Sequence, residues 1–136
     1  MLRTMMWAKL HGATVTEVNL HYEGSLTLDS HIMEELDVLP NERVQVLNLS
    51  NAARLETYVI PGERDGGAVS LNGAAARMAE LGDTVLIVFY VLMSDEEART
   101  HRPKVAIVDA RNRILEIRQA GKPTSSPSSM EKSPRL

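Results

Sequence analysis

Short runs dense in Val, Ile and Leu, parted by polar turn clusters, dominate the pattern along this chain. RVQVLNL (43–49), LETYVI (55–60), AVSL (68–71), TVLIVFYVLM (84–93) and KVAIVD (104–109) predict strands. Clusters such as LPNE, PGERDGG and DARNR separate them. RTMMWAKL (3–10) is expected as a first strand, and ATVTEVNL (13–20) follows with a weak period of two. Two short helices should interrupt the strands. One is SHIMEELDVL (30–39), with Asp29 or Ser30 as N-cap and Pro40 behind it. The other is GAAARMAEL (73–81), with Gly82 as the residue just past its C-terminus. Each is followed by a tight polar turn and a Val-rich strand, LPNERVQV (39–46) and LGDTVLIV (81–88). This similarity suggests two related halves. Many short strands at such spacing favour a small barrel over a βαβ sheet.

The segment QAGKPTSSPSSMEKSPRL (119–136) breaks the pattern. It is rich in Pro, Ser and Lys, has little to bury, and is expected to be a disordered tail. The folded part is then one domain over residues 1–118. Apolar residues make up 43% of the chain but aromatic ones only 4%, so Val, Leu, Ile, Ala and Met must build the core. There is no cysteine, which removes disulfides, thiolate metal ligands and thiol nucleophiles. The net charge is −3 with both signs interspersed, and no basic stripe offers a nucleic-acid footprint. The run 84–93 falls short of the roughly 20 residues a membrane-spanning helix needs. MLRTMMWAKLH lacks the apolar core and small-residue cleavage site of a signal peptide. The expectation is a cytoplasmic protein. His11, His21, His31 and His101 show no paired metal spacing, and no metal is expected.

HYEGSLTLDS (21–30) contains the pair Gly24-Ser25. By itself the pair reads as a turn. It also permits a rarer chemistry. A serine hydroxyl can attack the carbonyl before it, turning the amide into an ester. Glycine favours this, having no Cβ to block the approach and tolerating strained angles. Elimination and hydrolysis then leave a pyruvoyl group on the new N-terminus. Its ketone can form a Schiff base with an amine and serve as an electron sink, as pyridoxal phosphate does. The dipeptide alone leaves both readings open.

The surroundings resemble the aspartate 1-decarboxylase family of small pyruvoyl-dependent enzymes. The resemblance is carried by LRTMMWAKLHGATVTEVNLHYEGS (2–25), ARLETYVIPGERDGG (53–67), SLNGAAARMAELGDTVLI (70–87) and MSDEEARTHRP (93–103), in order and at matching spacing over about residues 1–117. It implies a mainly β fold, a double-psi β-barrel with short helices, assembled as a homotetramer with active sites between subunits. It implies cleavage of a zymogen between Gly24 and Ser25 into a β chain (1–24) and an α chain (25–136), with Ser25 becoming the covalent pyruvoyl cofactor. Maturation is either spontaneous or assisted by a partner protein. The implied activity is decarboxylation of L-aspartate to β-alanine and CO2, feeding pantothenate and coenzyme A synthesis.

The same resemblance assigns roles to residues. Lys9 and Arg54 match the cations that meet substrate carboxylates. For Lys9 the plainer alternative is an edge-strand lysine that guards against aggregation, and for Arg54 a solvated charge at a strand start. Tyr58 matches the proton donor; a phenol is protonated at neutral pH and can donate without tuning. Alternating side chains place it on the face of Arg54. Thr57 matches a residue of substrate contact and self-cleavage. Asn72, Gly73, Ala74 and Ala75 match the substrate-binding loop, although Asn72 could equally be a helix cap. Tyr22, His11 and His21 are weaker candidates for processing. Leu47 stands where some members have an aromatic, and Arg77 where histidine is common. Two other functions stay in view: a double-psi barrel that is never cleaved and serves as a binding module, and decarboxylation of a related amino acid such as glutamate.

Overall fold

The computed structural model describes residues 1–119. The strands are β1 (Leu2–Thr14), β2 (Glu17–Asn19), β3 (Ser25–Asp29), β4 (Arg43–Asn48), β5 (Arg54–Gly62), β6 (Val69–Asn72), β7 (Thr84–Ser94), β8 (Lys104–Val108) and β9 (Ile114–Gln119). The helices are α1 (Ser30–Leu36) and α2 (Asp95–Thr100), with a 3₁₀ turn at Gly73–Met78. In space the strands follow the order β2-β6-β3-β5-β4-β7-β1-β8-β9. Three neighbouring pairs are parallel, β1 with β8, β2 with β6 and β3 with β5, and the rest are antiparallel. This mainly β fold with short helices is consistent with a double-psi β-barrel. The two similar segments of sequence become neighbours: β4 and β7 pair antiparallel, with Val44 opposite Phe89 and Val46 opposite Ile87.

The core is aliphatic. Leu10, Val15, Leu26, Leu28, Ile32, Leu36, Val44, Val46, Val59, Leu71 and Ile87 are all buried, and Phe89, the only phenylalanine, sits among them. Burying a side chain of this size contributes about 1.5–3 kcal/mol, so the aliphatic set alone can sustain the fold. Trp7 works at the rim. Its indole N–H donates to the carbonyls of Leu36 (3.1 Å) and Asp37 (2.9 Å), covering orphan acceptors at the C-terminal end of α1. Its ring stacks on His101 at 5.6 Å between centroids.

The stretch 13–20 is not one strand. β1 ends at Thr14, and Val15 and Thr16 cross between ladders, their N–H groups donating to Asp83 (2.8 Å) and Val69 (2.9 Å). Only Glu17–Asn19 pairs again, with β6. The stretch 73–81 is shorter and tighter than the α-helix expected. Gly73 enters at φ +63° and Ala79 is already extended, so only a 3₁₀ turn fits between them. Gly82 takes a left-handed φ of +89° in the turn before β7, where its N–H donates to Val15, and does not end a helix. Two strands were not expected, β3 and β9. Gln119, placed in the tail by composition, ends β9; the rest of that segment lies outside the described residues.

Candidate functional site

Ser25 opens β3 where an exposed loop, residues 20–24, turns into the core. Its side chain is buried at 1% exposure while Gly24 beside it is exposed. Ser25 pairs with Asn72, the last residue of β6, across the antiparallel ladder. The Asn72 carboxamide, itself buried, donates from Nδ2 to Ser25 Oγ at 2.9 Å. A second donation from the same nitrogen reaches Thr27 Oγ1 at 3.0 Å. The Ser25 hydroxyl is directed at the Glu23 carbonyl, 3.4 Å away. Asn72 therefore does not cap the 3₁₀ turn with its side chain; the carboxamide is committed to β3 instead.

Gly73 closes this corner from the other side. A Cβ on Gly73 would lie 2.6 Å from the Gly24 nitrogen, 2.7 Å from the Gly24 Cα and 2.9 Å from the Tyr22 carbonyl oxygen. Glycine is needed both for this approach and for the φ of +63°. Ala75 is packed into the core and Ala74 faces outward.

β5 runs beside β3 in parallel, with Leu26 opposite Val59 and Thr27 opposite Ile60. The ladder begins at Leu26 and Val59, so Ser25 and Tyr58 are the residues that immediately precede its first pair. Arg54 and Tyr58 lie on one face of β5, because its pairing with β4 continues without a bulge from Arg54 to Tyr58. Arg54 is exposed, and neither its guanidinium nor the Tyr58 phenol is bonded to another described residue. Lys9 belongs elsewhere. It lies on β1 between Val88 and Val105, and β5, β4 and β7 stand between β1 and β3 in the sheet order. Burial holds its ammonium below the usual lysine range, and it forms no ion pair among the described residues.

So the folding brings Gly24, Ser25, Asn72 and Gly73 into contact, sets Tyr58 on the strand beside Ser25, and leaves Lys9 with three strands between β1 and β3. His11 and His31 each keep a buried ring Nδ1 away from the corner's hydrogen bonds. An open hollow lined by Trp7, Asp37, Leu39, Glu42, Arg43, Tyr90, Val91 and Leu92 does not include the corner. Thr27 is the neighbour the sequence pattern failed to single out. The alternation of Ser25 and Thr27 along one strand face was the available signal.

Asp29 anchors the far end of β3. Its carboxylate, 2% exposed, accepts from the N–H groups of His31, Asp65 and Gly67 at 2.9 Å each. Gly67 is held on its other side by Asn112, whose Nδ2 donates to the Gly67 carbonyl at 2.8 Å. Asp29 is thus both the N-cap of α1 and a clamp on the 63–67 loop.

Comparison with known proteins matches residues 1–115 to a family model described as aspartate decarboxylase. The aspartate 1-decarboxylase of Bacillus licheniformis is 56% identical over 117 residues, 86% of this chain and 92% of that protein. The Listeria monocytogenes protein of the same name is 56% identical over 114 residues, 84% of this chain and 90% of its own length. The Bacillus subtilis protein is 55% identical over 117 residues, 86% of this chain and 92% of its own.

Proposed function

The chain belongs to the aspartate decarboxylase family, and we propose that it decarboxylates L-aspartate to β-alanine and CO2 after cleaving itself between Gly24 and Ser25. The observation that carries this is the buried Ser25 hydroxyl, held by Asn72 at the end of an exposed loop whose last residue is glycine.

Cleavage begins with attack of Ser25 Oγ on the Gly24 carbonyl carbon. The C–O bond forms, the C–N bond breaks, and the hydroxyl proton ends on the freed amine. Elimination at Ser25 then releases residues 1–24 with Gly24 as a carboxylate, and hydrolysis of the remaining dehydroalanine expels ammonia. The residues present fit the pyruvoyl group that results. The hydroxyl is shielded from water, and Gly73, having no Cβ, lets the backbone of the cleavage loop at Gly24 approach closely. The pyruvoyl ketone supplies the electron sink into which the C–C bond electrons of the α-carboxylate can flow.

The other residues bind, orient and protonate. Arg54 is exposed and has no partner among the described residues, suited to bidentate carboxylate recognition. Lys9, a half-buried cation without a partner among the described residues, gains most from an anionic ligand. Tyr58, on β5 next to the start of its ladder with β3, delivers the proton that replaces the departing carboxylate. Asn72, Gly73, Ala74 and Ala75 form the loop around the substrate, and Thr57, on β5 beside Tyr58, serves cleavage and binding. The separation of Lys9 from β3 supports a site completed by a neighbouring subunit of a homotetramer. Exposed apolar residues on the β1–β7 arm, Leu2, Tyr90 and Leu92, support such packing. A cytoplasmic role in pantothenate and coenzyme A synthesis completes the proposal.

Denaturing intact mass spectrometry of the full chain tests it. Fragments 1–24 and 25–136, the larger with a pyruvoyl-blocked N-terminus, are expected, together with release of β-alanine from L-aspartate. A chain that stays whole after prolonged incubation with cell extract would instead be an uncleaved binding module.

A further inference from the structure

We infer that Thr27 is a positioning residue for Ser25, acting through Asn72. The inference rests on the proposed cleavage at Gly24-Ser25.

A carboxamide has two N–H bonds on one nitrogen and can present either that nitrogen or its oxygen to a neighbour. Which end faces Ser25 decides what the serine can do. An oxygen would draw the hydroxyl proton toward itself and leave charge on Oγ unsupported. An N–H stabilises Oγ as its proton leaves, because a hydrogen bond to a developing anion is stronger than one to a neutral oxygen. Here Nδ2 faces both Ser25 Oγ (2.9 Å) and Thr27 Oγ1 (3.0 Å), so one N–H goes to each hydroxyl. The Ser25 proton has its own acceptor in the Glu23 carbonyl.

Thr27 is built to stay put. It pairs with Ser70 on one side and Ile60 on the other, in the middle of β3. Its methyl group packs over Gly62: a Cβ on Gly62 would come 3.0 Å from Thr27 Cγ2. The methyl fills the space that Gly62 leaves open and fixes the χ1 of a β-branched side chain. The hydroxyl is then aimed at Asn72. When Ser25 loses its oxygen on maturation, Thr27 Oγ1 remains, so the same N–H stays directed at position 25 in both forms of the chain.

The test compares the full-length wild type with Thr27→Val and Thr27→Ser, following the uncut and cut masses over time after purification. Thr27→Val keeps the shape and the contact with Gly62 but removes the hydroxyl. It should mature about tenfold more slowly, the size of effect one oriented hydrogen bond gives, with a melting temperature close to wild type. Thr27→Ser restores the hydroxyl and should mature at a rate near that of wild type. Should the valine variant not fold, Thr27→Ala against Thr27→Ser isolates the hydroxyl in the same way. Equal maturation of wild type and Thr27→Val overturns the inference. So does slow maturation of Thr27→Ser alongside Thr27→Val, which would make packing the cause. A wild type that never cleaves strikes at the proposed function itself, and the two failures are therefore distinct.

Discussion

Gly73 and Gly24 meet backbone to backbone: a single carbon added at Gly73 would stand 2.6 Å from the Gly24 nitrogen. The 3₁₀ turn after β6 and the loop before β3 are thus pressed together by the absence of a side chain at Gly73. Gly73→Ala must push the 22–24 loop away and also strain a left-handed backbone. It should cost about 1–3 kcal/mol of stability and leave most of the chain uncut, both readable from one preparation by thermal melting and intact mass. Wild-type cleavage in a destabilised Gly73→Ala protein would mean that the close approach serves folding alone.

Tyr58 stands just before Val59 on β5, as Ser25 stands just before its ladder partner Leu26 on β3, and its phenol is bonded to no other described residue. Removing only the hydroxyl, in Tyr58→Phe, should leave cleavage unchanged and lower kcat for β-alanine formation by about a hundredfold or more, the range for loss of a general acid. Retention of near-normal kcat would remove Tyr58 from the proton-transfer step.

Lys9 gives a pH dependence whose sign follows from its burial. Its folded pKa lies below the ordinary 10.5, so the unfolded chain binds its proton more tightly. The resulting penalty on the fold is complete below the folded pKa. It fades as pH rises and vanishes above the unfolded value. Lys9→Met should therefore melt higher than wild type at neutral pH, with the gap closing toward pH 10.5, while its KM for aspartate rises. A lower melting temperature at neutral pH would reveal an ion pair for Lys9 in the assembled protein.

Asp29 holds three backbone N–H groups at the end of β3. Asp29→Ala strands them in a buried place and should cost about 2 to 4 kcal/mol in urea unfolding. Asp29→Asn, which keeps one acceptor oxygen, should lose less. Equal losses for the two would show that the negative charge, and not the acceptor geometry, is what matters.

Much of this was legible in the sequence. Dense Val, Ile and Leu runs gave β4 to β8, because a buried strand needs side chains that fill a pleated surface. Asp29 was readable as a cap because capping is local. The motif around Gly24-Ser25 was readable because it is carried by neighbours in the chain. β3 escaped, since SLTLD is short and begins with polar residues. The 3₁₀ turn was mistaken for a longer helix because alanine favours helix locally, whereas the positive φ of Gly73 is imposed by a loop some fifty residues away.

The sequence by itself determined the chemistry available: a serine after a glycine, a tyrosine, an arginine, a lysine and an asparagine, each with a reactivity fixed by its own atoms. Only the tertiary structure decided which of them meet. The β3–β6 ladder joins Ser25 to Asn72, the β3–β5 ladder brings the strand of Tyr58 alongside, and the strand order keeps Lys9 apart. Pairing across ladders depends on the burial of two faces at once, a property of the whole sheet that no local window of sequence contains.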